Sequence, residues 1–269
     1  MPVTEINGAK LYYEDNGKGT QAIVFSHSLL YSCRMFDAQV EALKDRYRCV
    51  TFDFRGQGQS EVTRDGYDMD TLSKDAAALI KKLDCIPCHF LGFSMGGFVG
   101  LRLAIRHPEL LHSLILVDTS ADPEPKENLL KYRMLNIMAR WIGPWAVASQ
   151  VMPIMFANAF LTDPKRAELR KKWRQYFVCN HRVGVTRAVK GVITRHGVYD
   201  QLSKIDIPTL IIVGEQDIAT VPEKSKRIHE SISNSKMVTI PNAGHMSPVE
   251  EPEAVNIALN EFLANLALT

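Results

Sequence analysis

No apolar run in this sequence approaches the roughly eighteen residues that a membrane-spanning helix needs. The amino-terminal stretch MPVTEINGAKLYYEDNG lacks both a charged leader and an apolar segment behind it, so no export signal is legible and a cytoplasmic location is expected. An excess of charge of one sign is also missing: 32 Lys and Arg stand against 30 Asp and Glu, a formal net charge of +2. With neither a basic stripe nor an acidic tail, nucleic acid and membrane are not expected as partners. Cysteine is sparse, five in 269 residues, which argues against a disulfide framework in a chain this long. Cys85 and Cys88, in CIPC, follow a helical stretch and precede a strand. A thioredoxin-like pair sits the other way round, so these two are expected to be plain loop thiols. No further ligands stand at a zinc-like spacing, and there is no internal repeat or low-complexity segment.

What is present is alternation. AIVFS (22–26), RCVTFD (48–53), HFLGF (89–93), SLILVD (113–118), TLIIVG (209–214) and KMVTIP (236–241) are short runs rich in Val, Ile, Leu and Phe. Continuous apolar runs of this length suit parallel strands buried on both faces. Helical patterns such as RMFDAQVEALKDR, TLSKDAAALIKKLD, FVGLRLAIRH, PEKSKRIHESI and PEAVNIALNEFLANL separate them, and KLYYED near the start reads as an antiparallel hairpin strand. The expected class is α/β, a mostly parallel central sheet flanked by helices.

One stretch breaks the rhythm. Residues 121–200 hold no convincing strand, and the expectation is an inserted helical cap there, with residues 1–120 and 201–269 forming the core domain. Leu130, Met134, Ile137, Met138 and Trp141 fall at helical spacing, as do Leu169, Trp173 and Tyr176 or Phe177. These are expected to form the cap's own core, with some facing a crevice, because ligand pockets are largely apolar and aromatic. Lys171 and Lys172 are expected on a solvated face. Arg133 and Arg140 are read the same way, the alternative being contact with a substrate carboxylate.

HFLGFSMGGFVG (89–100) sets a Gly-x-Ser-x-Gly sequence, Gly92 to Gly96, between a strand and a helix. That setting gives the motif meaning. The chain must reverse sharply at Ser94, crowding the residues two before and two after it, so that very small side chains are needed there. The turn lifts the hydroxyl above the sheet and aims a helix N-terminus at it. Gly97 and Gly100 would let that helix lie close to the sheet.

A serine hydroxyl needs a base to become a good nucleophile. Of eight histidines, His245 lies in PNAGHMSPVEEP, between the last strand and the last helix, at the sheet's carboxyl edge where ligands bind in open α/β folds. His107 and His112 flank a surface turn, His181, His196 and His229 lie in the cap or a surface helix, and His89 starts the strand at the wrong end. The base needs a carboxylate to orient it. Asp217, just past TLIIVG, is preferred; Asp118, just past SLILV, is the rival, and Glu215 carries little weight. The order Ser, Asp, His fits either aspartate. For a developing oxyanion, the backbone N–H of Met95 and that of Leu29, in the loop after AIVFS, are the candidate donors.

Together SHSLL, FDFRGQGQS, LGFSMGGFVG, RHPELLHSLILVD, IPTLIIVGEQD and NAGHMSPVEEP make the chain resemble the α/β-hydrolase superfamily over almost its whole length. The resemblance implies Ser94 as nucleophile, His245 as general base, Asp217 as orienting acid and oxyanion donors at Leu29 and Met95, with no metal and no organic cofactor. SHSLLYSCRMFDAQVEAL and GFSMGG are similar to 3-oxoadipate enol-lactonases in particular. This favours a serine hydrolase that cleaves an ester or lactone of a small, partly apolar molecule through an acyl-enzyme. One departure stands in the oxyanion loop: His27-Ser28 replaces the His-Gly of many members. Carbon–carbon bond hydrolases and cofactor-free haloperoxidases or perhydrolases keep the same triad and remain alternatives, as does a hydrolase-fold protein that only binds a small molecule.

Overall fold

The computed structural model describes residues 2–266. Its elements run β1 (Val3–Ile6), β2 (Ala9–Asn16), β3 (Ala22–Ser26), α1 (Asp37–Leu43), β4 (Arg48–Phe52), α2 (Met69–Lys82), β5 (Cys88–Phe93), α3 (Met95–Arg106), β6 (Leu111–Val117), α4 (Lys126–Trp141), α5 (Ala148–Met155), α6 (Asn158–Thr162), α7 (Ala167–Val178), α8 (Arg182–Ile193), β7 (Thr209–Gly214), α9 (Pro222–Ser231), β8 (Ser235–Ile240), α10 (Ser247–Glu250) and α11 (Pro252–Leu266).

The strands form one eight-stranded sheet in the order β1-β2-β4-β3-β5-β6-β7-β8. β1 and β2 pair antiparallel, as does β2 with β4, and every later pair is parallel. The apolar runs are continuous because successive residues enter opposite cores. Val24, Phe90, Leu114, Leu116 and Ile211 join one buried cluster with Leu72 and Ala76 of α2 and Leu101 and Leu103 of α3. Ile23, Phe25, Leu91, Ile115, Leu210 and Ile212 join the other, with Leu43 of α1 and Val255, Leu259 and Leu263 of α11. A two-residue strand period with both faces covered leaves no polar position to alternate with.

Two expectations change. Cys88 is not a loop residue: it opens β5, and both it and Cys85 are buried, with burial pushing both thiols up from their ordinary pKa. The larger correction concerns α4. Leu130, Met134, Ile137, Met138 and Trp141 do share one helix face, but that face is exposed, with Leu130 at 71% and Trp141 at 77%. The opposite side of α4, carrying Tyr132, Leu135, Asn136 and Ala139, lines a cavity. Helical spacing says which residues share a side, not which side is covered. In α7, Trp173 and Phe177 are buried as expected, while Tyr176 is 38% exposed. Lys171, Lys172 and Arg133 are exposed.

Candidate active site

The carboxyl ends of β3, β5, β6, β7 and β8 meet at one rim of the sheet, and the loops leaving them carry the candidate residues. Ser94 follows β5 directly and holds φ 51° and ψ −109°, a left-handed conformation that costs a non-glycine residue free energy. Its neighbours hold it there. Its N–H donates to Val117 O at 2.8 Å, and its carbonyl accepts the Thr119 hydroxyl at 2.7 Å and the N–H groups of Gly97 and Phe98. The flanking glycines are steric necessities. A β-carbon on Gly92 would stand 2.3 Å from Gly96 O, and one on Gly96 would stand 2.0 Å from Ser26 O.

The Ser94 hydroxyl lies 2.8 Å from Nε2 of His245, whose Nδ1 lies 2.9 Å from Asp217 Oδ2. His245 and Asp217 sit on the loops after β8 and β7, and all three side chains are buried. Asp217 also accepts the N–H groups of Ala219 and Thr220 at 2.8 and 2.9 Å and the Thr220 hydroxyl at 2.7 Å. Burial opposes ionisation of Asp217, yet the adjacent imidazole and these donors outweigh it and hold the carboxyl below its ordinary pKa. Burial likewise opposes protonation of His245, but the charge and hydrogen bond of Asp217 prevail and raise it. An imidazole fixed between a carboxylate and a hydroxyl can take the hydroxyl's proton without reorienting.

Asp118, the rival carboxylate, lies elsewhere in the network. Its Oδ1 accepts Gly214 N–H at 2.7 Å and its Oδ2 the Ser247 hydroxyl at 2.5 Å. It ties the ends of β6 and β7 to α10 and makes no hydrogen bond to His245 among the described residues. Burial, reinforced by the charge on Asp217, raises its pKa well above the ordinary value. Glu215 is exposed and accepts from Asn242 N–H. His89 is buried against Ser113, 2.8 Å away, and burial followed by the nearby His112 lowers it to about 4.

The loop after β3 brings Leu29 to the same cavity as Ser94 and Met95. Neither Leu29 N–H nor Met95 N–H has an acceptor among the described residues. The departure at Ser28 needs no glycine, because the left-handed residue of this loop is Leu30, at φ 76°. Leu30 is pinned from both sides: its N–H donates to Gln57 Oε1 at 2.8 Å and its carbonyl accepts Asn180 Nδ2 at 2.6 Å. His27 Nε2 accepts Phe54 N–H at 2.9 Å, which leaves the ring proton on Nδ1 to donate to Ser28 O.

Glu250 has no role among the sequence expectations. This buried carboxylate accepts the N–H groups of Gly244 and Met246, on either side of His245, and that of Ala157 ahead of α6. Burial pushes its pKa up to about 7, against the pull of those donors. Thr220 and Arg195, both lining the cavity, are likewise absent from those expectations. A cavity of about 150 Å³ opens over Ser94 and His245, walled by Tyr132, Leu135 and Ala139 of α4, Val151 and Met155 of α5 and Val185 and Val189 of α8. Among the described residues, no group of three or more His, Cys, Asp or Glu is placed to hold a metal ion, and no helix is long and apolar enough to cross a membrane.

Residues 21–252 match the family described as the alpha/beta hydrolase fold. The chain belongs to that family. It is 30% identical to 3-oxoadipate enol-lactonase 1 of Acinetobacter baylyi over 252 residues, 93% of this chain and 92% of that protein. Among solved family structures, the enol-lactonase from Burkholderia xenovorans superimposes with a TM-score of 0.91 at 27% identity, covering 98% of this chain and all of that one. A thermophilic esterase from Thermogutta terrifontis superimposes with a TM-score of 0.92 at 30% identity, covering 99% of each chain.

Proposed function

We propose that this family member is a serine hydrolase that cleaves a carboxylic ester or lactone of a small, largely apolar molecule. The observation that carries the reading is the unbroken line from Ser94 Oγ through His245, at 2.8 Å, to Asp217, at 2.9 Å, at the floor of an apolar cavity. Ser94 attacks the carbonyl carbon while His245 Nε2 takes its proton. The oxyanion that forms rests against the N–H groups of Leu29 and Met95. His245 then hands the proton to the leaving alkoxide, and the same imidazole activates the water that frees the acid from Ser94. The likeness to an enol-lactonase and to an esterase supports carboxylic ester chemistry. Residues 121–200 act on this reading as a cap that roofs the cavity and selects the substrate.

A fluorophosphonate probe tests the activated serine, and p-nitrophenyl esters of increasing acyl length, run beside several lactones, test the substrate. The reading expects labelling of wild-type protein but not of Ser94→Ala, and turnover that needs Ser94. An unlabelled wild type, or Ser94→Ala retaining most of the hydrolysis, overturns it.

A further inference from the structure

The cavity above Ser94 contains a single arginine or lysine among its described lining residues, Arg195, and that cation is already occupied. Its Nη1 lies 2.8 Å from Glu124 Oε2 and also donates to Val192 O, while Nε donates to Asp122 O at 3.0 Å. The guanidinium carbon sits 4.2 Å from the centre of the Phe98 ring. Glu124 lines the same cavity, and its other oxygen accepts from Asn128 Nδ2 at 3.1 Å. The two side chains are 2% and 10% exposed. A lone buried charge in such a wall would be costly, and the pairing removes that cost.

We propose that Glu124, by holding Arg195 in a neutral pair, makes this pocket selective for uncharged esters or lactones, so that substrates carrying a second, free carboxylate are turned away. The inference rests on the hydrolytic reading above and narrows its substrate class. A carboxylate entering the cavity would have to displace Glu124 from Arg195 or lie close to it unpaired, with Asp217 a second negative charge behind His245. Like charges brought together in a desolvated site repel strongly, because little water is left to screen them. Tyr132 does not relieve this: burial, and then the charge of Glu124, push its hydroxyl further from ionising, so it stays a neutral donor. Neither Tyr132 Oη nor Arg195 Nη2 makes a hydrogen bond among the described residues, which leaves donors for a carbonyl or ether oxygen. The enol-lactone of 3-oxoadipate, a diacid with one carboxyl closed into the ring, falls in the excluded class. Arg133, exposed, and Arg140, outside this lining, offer no substitute cation.

The test uses a matched pair, the p-nitrophenyl methyl diester of succinic acid and the p-nitrophenyl hemiester, which differ by a methyl group and a charge. Wild type should prefer the diester by at least about thirtyfold in kcat/KM, expressed mainly in KM. In Glu124→Gln the freed guanidinium should cut that ratio to about threefold or less by improving the hemiester. The double variant E124Q/R195M, with neither charge, should restore preference for the diester. Calorimetric binding of the same pair to Ser94→Ala protein reads the selectivity without turnover. A wild-type enzyme that hydrolyses neither ester overturns the hydrolytic reading. Equal kcat/KM or equal affinity for the two, or a folded Glu124→Gln with an unchanged ratio, overturns the selectivity proposal alone.

Discussion

Glu250 accepts the backbone N–H of Gly244 at 3.0 Å, and through that bond a carboxylate six residues down the chain sets the loop that presents His245. The same side chain holds Met246 N–H at 3.2 Å and Ala157 N–H at 2.9 Å. Glu250→Ala leaves three buried donors unmet, at roughly 1–3 kcal/mol each before relaxation. The expected outcome is a clear fall in melting temperature together with a fall in kcat. Glu250→Gln supplies the comparison in pH. Because the fold raises this carboxyl from 4.5 to about 7, its contribution to stability is present below about 4.5 and is lost as pH rises through 7. Wild type should therefore lose melting temperature relative to Glu250→Gln between pH 5 and pH 8. Parallel curves would refute the assignment.

Ser94 is the residue where strain and proposed chemistry coincide. Ser94→Gly removes the hydroxyl and also the β-carbon that makes φ 51° expensive. We expect hydrolysis to fall by at least about 10⁴-fold in kcat. We expect stability to rise by about 1 kcal/mol, measured by urea unfolding. A less stable Ser94→Gly would mean that the turn is not strained.

The two aspartates at the rim should separate cleanly. Asp217→Asn leaves the imidazole without its carboxylate and should lower kcat by about 10⁴-fold. Asp217 is also what raises His245, against the effect of burial. The acid limb of the kcat/KM profile, where the imidazole must be neutral to act, should accordingly move to lower pH in that variant. Asp118 bonds Gly214 and Ser247 instead, so Asp118→Asn should keep kcat within about tenfold of wild type. Reversal of this order would make Asp118 the partner of the base.

Close packing at the elbow makes a graded steric prediction. Gly96→Ala places a methyl 2.0 Å from Ser26 O, a backbone atom that cannot move aside, whereas Gly100→Ala meets the Phe90 ring at 3.1 Å, where a small shift suffices. Gly96→Ala should cost more than about 3 kcal/mol and yield little folded protein, and Gly100→Ala about 1–2 kcal/mol. Thermal melts of the soluble fractions decide it.

Much of this architecture is legible in the chain because it rests on local patterns. AIVFS and TLIIVG coincide with β3 and β7 residue for residue, and the remaining strand ends shift by one or two positions where fraying apolar edges give no sharp signal. The geometry around Ser94 and His245 follows from their places at strand ends. The choice between Asp217 and Asp118 does not follow from position alone, since both follow strands at the same rim; the family resemblance favours Asp217, and the fold sets its carboxylate 2.9 Å from the imidazole while Asp118 bonds elsewhere. Arg195 and Glu124 are not legible for a related reason: they act on each other across 71 residues, with no local motif. Glu250 lies inside NAGHMSPVEEP, but nothing in that stretch tells that its carboxylate turns back onto the backbone of Gly244 and Met246. Helix α4 misled because it is apolar on one side and cavity-lining on the other.

That helix has a practical consequence. The chain holds three tryptophans: Trp141, at the end of α4, and Trp145, just beyond it, are 77% and 61% exposed, while Trp173 of α7 is 5% exposed. The native fluorescence therefore divides into two outer emitters open to iodide or acrylamide and one sheltered emitter. Anything that covers or displaces the roof of the cavity writes itself into the quenchable fraction of the emission, with no dye attached.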